Sequence, residues 1–135
     1  MIQLIYISAA AIRITEDVLQ AILFTSIHHN SKKKITGLLL YDRGTFCQVL
    51  EGAAEDVHGL FSKILEDDRH TNVIKIFDDK IMVRDFSSWS MNCINLDDYD
   101  KKQINGYKNF REFAHNWNFI NPLQAKDVLM HFRTR

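Results

Sequence analysis

Residues 35–52, ITGLLLYDRGTFCQVLEG, decide the fold because they predict two strands that pair as a hairpin. The segments ITGLLLYD (35–42) and TFCQVLE (45–51) are apolar runs of strand length. The dipeptide Arg43-Gly44 between them is short enough for a tight turn. The sequence therefore predicts an antiparallel pair at the centre of the chain.

Gln48 is the anomaly in the second strand of this hairpin. Alternation places Phe46, Gln48 and Leu50 on one face, and Cys47 and Val49 on the other. Both faces are apolar apart from that one amide, and a buried amide without a partner costs about 1–3 kcal/mol. The strand therefore predicts that Gln48 has a specific hydrogen-bond partner.

The segments around the hairpin predict an α+β fold. A strand at 2–8, a helix from Thr15 to about Asn30, a helix at 54–67, a strand within 72–83 and a strand at 89–96 complete the order βαββαββ. This order is the ferredoxin-like pattern with a fifth strand, in which two helices cover one face of a single sheet.

The other face of the sheet also needs a cover, because the first and third strands are apolar on both sides. Residues 99–116 carry apolar side chains at helical spacing. Asn121-Pro122 is an N-cap followed by proline, which predicts the start of a last helix. We therefore expect one domain over 1–96 and a C-terminal helical cap over 97–135, with no separate output domain.

Composition excludes several classes of protein. The 17 basic and 17 acidic residues cancel, so no general attraction to nucleic acid or to an anionic membrane is expected. No apolar run approaches the ~18 residues of a membrane span. The N-terminus MIQLIYIS lacks an export signal, so we expect a cytoplasmic protein with Cys47 and Cys93 as free thiols.

Four polar side chains point inward on three different elements. Tyr6 and Gln48 lie in mid-strand, and Ser26 and Asn30 continue the inner helical stripe of Ile22 at spacings of four residues. Three of them have an ordinary alternative: Tyr6 as a core residue, Asn30 as a helix C-cap, and Gln48 bonded to a backbone carbonyl. Their shared direction favours a ligand pocket.

Motifs for other chemistry are weak or absent. The sequence has no G-x-G-x-x-G, P-loop, C-x-x-C or H-E-x-x-H motif. His28 and His29 are adjacent, so on a helix they point about 100° apart and form a poor metal pair. No nucleophile-base arrangement or pair of inward carboxylates is visible. We expect no metal and no enzymatic activity.

Four segments together resemble one known family. LIYIS, ITGLLLYDRGTFCQVLEG, DDRHTNV and FSSWSM, in this order and spacing, resemble the BLUF domain, a blue-light sensor that uses FAD. The resemblance covers about residues 1–96, and the C-terminal helices resemble the cap of short, stand-alone BLUF proteins.

The resemblance implies a role for particular residues. It makes Tyr6 the photoactive tyrosine, Gln48 the central glutamine and Asn30 the flavin-binding asparagine. It also makes Trp89 and Met91 the signal relay on the fifth strand. Further flavin contacts fall on residues that pack on the ring or line its polar edge and phosphate end: Ile22, Ser26, His29, Lys63, Ile64, Asp67, Arg69 and His70. The sequence departs from the family at His29, where an amide is more usual, and at Lys63, where arginine or histidine is frequent.

The resemblance also implies a mechanism and partners. Light drives electron and proton transfer from Tyr6 to the flavin, Gln48 rearranges, and the signal passes through the fifth strand to the cap and a downstream signalling protein. Short members of the family often form rings or stacked oligomers, so homo-oligomerisation is an expectation. Two alternatives remain: a ferredoxin-like regulatory module that binds a metabolite without photochemistry, and, ranked last, a flavin enzyme or monooxygenase.

Overall fold

The computed structural model of the chain describes residues 1–87, 92–99, 101–103 and 122–132, without the side chains of residues 23, 25–31, 97, 101 and 122–125. Its strands and helices are β1 (Ile2–Ala10), α1 (Glu16–Lys32), β2 (Thr36–Asp42), β3 (Thr45–Gly52), α2 (Ala54–Glu66), β4 (His70–Lys80), β5 (Asn92–Asn95) and α3 (Pro122–His131). Short 3-10 turns span Leu96–Asp98 and Lys101–Gln103.

The five strands form one mixed sheet in the order β4-β1-β3-β2-β5. β1 is antiparallel to both β3 and β4, β2 and β3 form the antiparallel hairpin, and β5 runs parallel to β2. The predicted βαββαββ order and the ferredoxin-like fold class are therefore confirmed. Because β3 lies between β1 and β2, its side chains are central on both faces of the sheet.

The turn between β2 and β3 sets the register of the hairpin. Arg43 and Gly44 both have positive φ, at 44° and 87°, as a two-residue type I′ turn requires. Asp42 pairs with Thr45 across this turn, and the Gly44 N–H donates to the hydroxyl of Tyr41 at 3.0 Å. The predicted Arg43-Gly44 hairpin is confirmed.

The ends of the helices agree closely with the predictions. The Val18 N–H donates to Oγ1 of Thr15 at 3.3 Å, which confirms Thr15 as the N-cap of α1. α1 runs two residues beyond the predicted end at Asn30, and α3 begins at Pro122, as predicted. Most of the helix predicted over 99–116 lies outside the described residues.

Each face of the sheet has its own hydrophobic core. On the helix-covered face, buried side chains of β1 and β3 pack with Leu19 of α1 and Val57 of α2. On the opposite face, buried side chains of β1 and β3 pack with buried residues from the segment after β4 and from the last helix and its end. The strand residues are Ile5, Ile7, Cys47 and Val49, and the others are Phe86, Val128, Leu129 and Phe132. α3 therefore covers the second face, as the apolar character of both faces requires.

Candidate functional site

The partner of Gln48 is Tyr6. The two residues lie directly opposite each other in the β1–β3 register, and each is 4% exposed. Tyr6 Oη donates a hydrogen bond to Oε1 of Gln48 at 2.5 Å, which is short for a hydroxyl donor. The prediction that Gln48 has a specific hydrogen-bond partner is confirmed, and Tyr6 is such a partner.

Burial keeps the Tyr6 phenol protonated. Loss of water around the ring raises the pKa of Tyr6 far above its ordinary value, and the neighbouring Cys47 thiol and Asp67 carboxylate raise it further. The neutral hydroxyl has one hydrogen to donate, and the amide oxygen of Gln48 accepts it. Tyr6 Oη therefore keeps its proton and lies next to an amide that can change its orientation.

A cavity of about 310 Å³ opens above this pair, between the sheet and the helices α1 and α2. Its floor is formed by Tyr6 and Gln48 together with apolar side chains of β2 and β3, and its walls include Ile22 of α1 and Ile64 of α2. Among the described residues, the lining also includes Lys33, Ile35, Leu39, Phe46, Asp56, Gly59, Leu60, Lys63, Asp67, Arg69 and His70. The cavity thus combines an apolar interior with an amide at its floor and charged groups on its lining.

The charged lining contains a rigid ion pair. Arg69 donates from Nη2 to Oδ2 of Asp67 at 2.5 Å and from Nε to Oδ1 at 3.0 Å, and its backbone N–H also donates to Oδ1 at 3.0 Å. The side-chain bond from Arg69 holds the pKa of Asp67 below its usual value. On another part of the lining, Lys33 Nζ lies 3.8 Å from Oδ1 of Asp56. The lining therefore carries the positive charges of Lys33, Lys63 and Arg69, of which Lys33 and Arg69 lie beside carboxylates.

Substituting Asp67 tests this ion pair through its pH dependence. A carboxyl whose pKa is lowered by folding stabilises the protein above its unfolded pKa of about 3.9, and this contribution disappears as the pH falls through the folded pKa. Because the two side chains are about a third exposed, Asp67→Asn should lower the free energy of unfolding at pH 7 by only about 0.5–1 kcal/mol.

Urea unfolding at pH 7 and at about pH 3 measures this effect, because the difference between wild type and Asp67→Asn should shrink at the lower pH. The exposed neighbour Asp68, as Asp68→Asn, is the matched control and should have a smaller effect at pH 7. A difference of equal size at both pH values would contradict the role assigned to the Asp67 carboxylate.

His70 is held by the protein through both ring nitrogens. Nε2 lies 2.6 Å from the carbonyl oxygen of Ile64, and Nδ1 lies 2.8 Å from Oγ of Ser8. A carbonyl only accepts, so Nε2 carries a hydrogen, and in the neutral ring Nδ1 accepts the Ser8 hydroxyl hydrogen. The ring stands edge-on to Tyr6 and Phe46, with centroids 6.1 and 6.4 Å away. His70 therefore links the start of β4 to β1 and α2 beside Tyr6.

The structure brings most of the predicted site residues together. Tyr6, Gln48 and six of the predicted contacts line one cavity: Ile22, Lys63, Ile64, Asp67, Arg69 and His70. The side chains of Ser26, His29 and Asn30, on α1, lie outside the described part of the chain, as do Trp89 and Met91 entirely. The positions of those five side chains and the roles of all the predicted site residues stay predictions.

Several lining residues were missed by the sequence analysis. Leu39 pairs with Gln48 in the β2–β3 register, and Phe46 shares its face, so the hairpin pattern contained a signal for both. Lys33 and Asp56 had no such signal, because a lysine run and a helix-start aspartate are ordinary surface features. The hydrogen bond of Ser8 was missed as well, because its partner His70 is 62 residues away in the sequence.

Three further expectations from the sequence concern the cysteines, metal binding and membrane-spanning helices. Cys47 is a buried free thiol, Cys93 is a partly buried one, and burial raises the pKa of each to about 12. Within the described ranges, no three His, Cys, Asp or Glu side chains are grouped as metal ligands. None of the helices in that part of the chain is long and apolar enough to cross a membrane.

Comparison with known proteins agrees with the fold and the tyrosine–glutamine pair. The sequence model of the BLUF family, sensors of blue-light using FAD, matches residues 1–92. The matched region contains β1 to β4 and the helices α1 and α2 that enclose the cavity. The chain belongs to the BLUF family.

Individual relatives match this chain over different shares of their length. The photoactivated adenylate cyclase subunit beta of Euglena longa is 37% identical over 89 residues, which are 65% of this chain and 10% of the cyclase subunit. A bacterial light-regulated adenylyl cyclase is 37% identical with a TM-score of 0.78, over 87% of this chain and 35% of that one. The photo-activated state of BlsA is 29% identical with a TM-score of 0.80, over 99% of this chain and 95% of BlsA.

Proposed function

We propose that this protein is a blue-light photoreceptor that binds FAD non-covalently and signals to a protein partner by switching the hydrogen bonds of Tyr6 and Gln48. The observation that carries the proposal is the short Tyr6 Oη–Gln48 Oε1 bond at the floor of the cavity. It joins a protonated phenol to an amide that can reverse its donor and acceptor ends.

The cavity suits a flavin nucleotide in shape and chemistry. The side chains of Ile22 and Ile64 offer apolar surface to a flat aromatic ring, and the Gln48 amide offers a donor and an acceptor to the ring's polar edge. Lys33, Lys63 and Arg69 offer positive charge to phosphates. When bound, FAD would supply the absorption of blue light and accept an electron.

The residues of the chain then perform the switch. Tyr6 would donate an electron to bound FAD and its Oη proton by way of the Gln48 amide oxygen 2.5 Å away, and would recover both as the starting state is restored. Gln48 rotates or tautomerises, so that its donor and acceptor ends exchange positions. If FAD is bound, the rearranged Gln48 amide would donate a stronger hydrogen bond to it, which would shift its absorption to the red without a covalent bond. The cycle returns to its starting state, so no net reaction is catalysed.

The position of β3 supports the proposal that the signal reaches α3. Strand β3 carries Gln48 on one face. On its other face, Cys47 and Val49 belong to the core under α3. A rearrangement at Gln48 therefore has a packed route to the C-terminal helix and to a partner bound there. Trp89 and Met91 are the proposed relay on the β5 side, and a cytoplasmic location and homo-oligomerisation belong to the same proposal.

The visible spectrum of the purified protein tests the function directly. We expect a yellow protein whose flavin bands shift to the red under blue light and recover in darkness, with FAD released on denaturation. A yellow protein without the shift would contradict the photoswitch. A protein that stays colourless after FAD is added would contradict flavin binding and favour a metabolite-binding module.

A further inference from the structure

A second buried polar cluster lies on the face of the sheet opposite the cavity, around the carboxylate of Glu51. Glu51 and Gln3 are both 0% exposed. Oε2 of Glu51 accepts from Nε2 of Gln3 at 2.9 Å and from the Asp85 N–H at 2.8 Å. Oε1 accepts from Oγ1 of Thr36 at 3.1 Å and from the Phe86 N–H at 2.9 Å. Four donors satisfy a buried carboxylate completely.

The segment 84–86, which follows β4, is attached to the sheet through this cluster. Arg84 Nη1 donates to Oγ1 of Thr36 at 2.8 Å and to the backbone carbonyl of Glu51 at 3.0 Å. Three consecutive residues therefore bond to Glu51 or to Thr36, its neighbour on β2. Arg84 does so through its side chain, and Asp85 and Phe86 do so through their backbone N–H groups. Glu51 therefore holds this connection in place by its main chain as well as by a side chain.

The same segment is attached to α3. Asp85 Oδ2 accepts from Gln3 Nε2 at 2.9 Å and lies 3.4 Å from Nζ of Lys126. Phe86, 1% exposed, belongs to the core that contains Val128 and Leu129 of α3. A continuous set of contacts thus runs from β3 through Glu51 and residues 84–86 to the last helix.

Glu51 is close to the proposed switch but points away from it. It follows Gln48 by three residues on β3, about 10 Å along the strand, and its side chain is on the opposite face. Glu51 is not among the residues that line the cavity. A displacement of β3 at Gln48 would move all four hydrogen bonds of the Glu51 carboxylate together.

We propose that Glu51 is the positioning residue that passes the movement of β3 to α3, through the segment 84–86 and the Asp85–Lys126 pair. The inference rests on the proposed photoreceptor function and names the residue that couples the switch to the helix. Its place on the far side of the sheet separates it from flavin binding, so the coupling can be removed while the photochemistry remains.

Hydrogen exchange of the full-length, flavin-loaded protein in darkness and under blue light tests the proposal. In Glu51→Gln, an NH₂ group replaces one acceptor oxygen and opposes a backbone N–H. We expect the amides of Asp85 and Phe86 to exchange at least about tenfold faster in darkness, because one of the two loses its buried acceptor and the segment is held less firmly. The light-minus-dark difference in 122–132, present in the wild type, should disappear while the red shift persists.

Two further variants keep the test decisive if Glu51→Gln does not fold. Lys126→Met removes only the last link, so it should weaken the light response of 122–132 and leave that of 84–86 unchanged. Lys75→Met is the matched control, because it breaks another lysine–aspartate pair. Lys75 Nζ lies 2.9 Å from Oδ2 of Asp78, and this pair is outside the Glu51 cluster. It should leave both responses as in the wild type.

The outcomes separate this inference from the proposed function. A normal red shift in the wild type without any light response in 122–132 would overturn the coupling through Glu51 and leave the photoreceptor intact. A wild-type light response in the foldable variants Glu51→Gln or Lys126→Met would overturn it as well. The absence of a red shift in the wild type would instead refute the photoreceptor itself, and the coupling with it.

Discussion

Replacing Tyr6 with phenylalanine should leave the flavin bound and abolish the light-induced red shift. Tyr6→Phe removes the phenolic oxygen that lies 2.5 Å from Gln48 Oε1, and with it the proposed electron and proton donor. The ring keeps its packing against Phe61 and His70, so the cavity should keep its shape. Dark and illuminated absorption spectra measure the shift, and the FAD released on denaturation measures occupancy.

Tyr41 provides a matched control for this substitution. Its hydroxyl accepts a hydrogen bond from the Gly44 N–H in the hairpin turn, and the residue is not among those that line the cavity. Tyr41→Phe should therefore cost some stability and leave the red shift unchanged. A full red shift in Tyr6→Phe would remove Tyr6 from the switch, whereas loss of bound flavin in that variant would assign it a binding role instead.

Truncating Leu129 should produce the largest loss of stability among the substitutions considered. Leu129 is 0% exposed and belongs to the core between the sheet and α3. Leu129→Ala removes buried methyl groups and leaves a cavity, so the free energy of unfolding should fall by about 2–5 kcal/mol. Urea unfolding monitored by circular dichroism measures the loss, and a single transition is expected if α3 and the sheet unfold together.

Asp127 is the control on the same helix because its side chain is exposed. Asp127→Ala should change the free energy of unfolding by no more than about 0.5 kcal/mol. A loss below about 1 kcal/mol in Leu129→Ala, or a separate early transition for the helix, would contradict the assignment of α3 to the core of the domain.

Local sequence patterns predicted the framework of the fold and the centre of the site. The Arg43-Gly44 turn, the Thr15 cap and Pro122 depend on the conformational preferences of one to four residues, so they can be read without knowing the fold. Gln48 was detectable because one amide interrupts an apolar face. Its pairing with Tyr6 required only that β1 and β3 be neighbours, as the ferredoxin-like order implies.

The polar contacts that surround this centre could not be predicted in the same way. The hydrogen bond between Ser8 and His70 depends on how their strands pair and on the position of α2. Lys33 and Asp56 reach the cavity because of how the loops and helices pack. Glu51 ends an apolar strand beside a glycine, where a charge exposed to water is the usual expectation. Its burial depends on the segment 84–86 and on α3, which are more than thirty residues away.

The sequence by itself determined which side chains of β1 and β3 face the flavin cavity and which face α3, because alternation along a strand assigns the two faces. It also determined the family, through the segments around Tyr6, Gln48 and His70. Only the tertiary structure decided that Glu51 is a buried anchor and that His70 is bound by Ser8. These contacts join residues distant in the chain, and the free energy of burying a polar group depends on partners that local sequence does not specify.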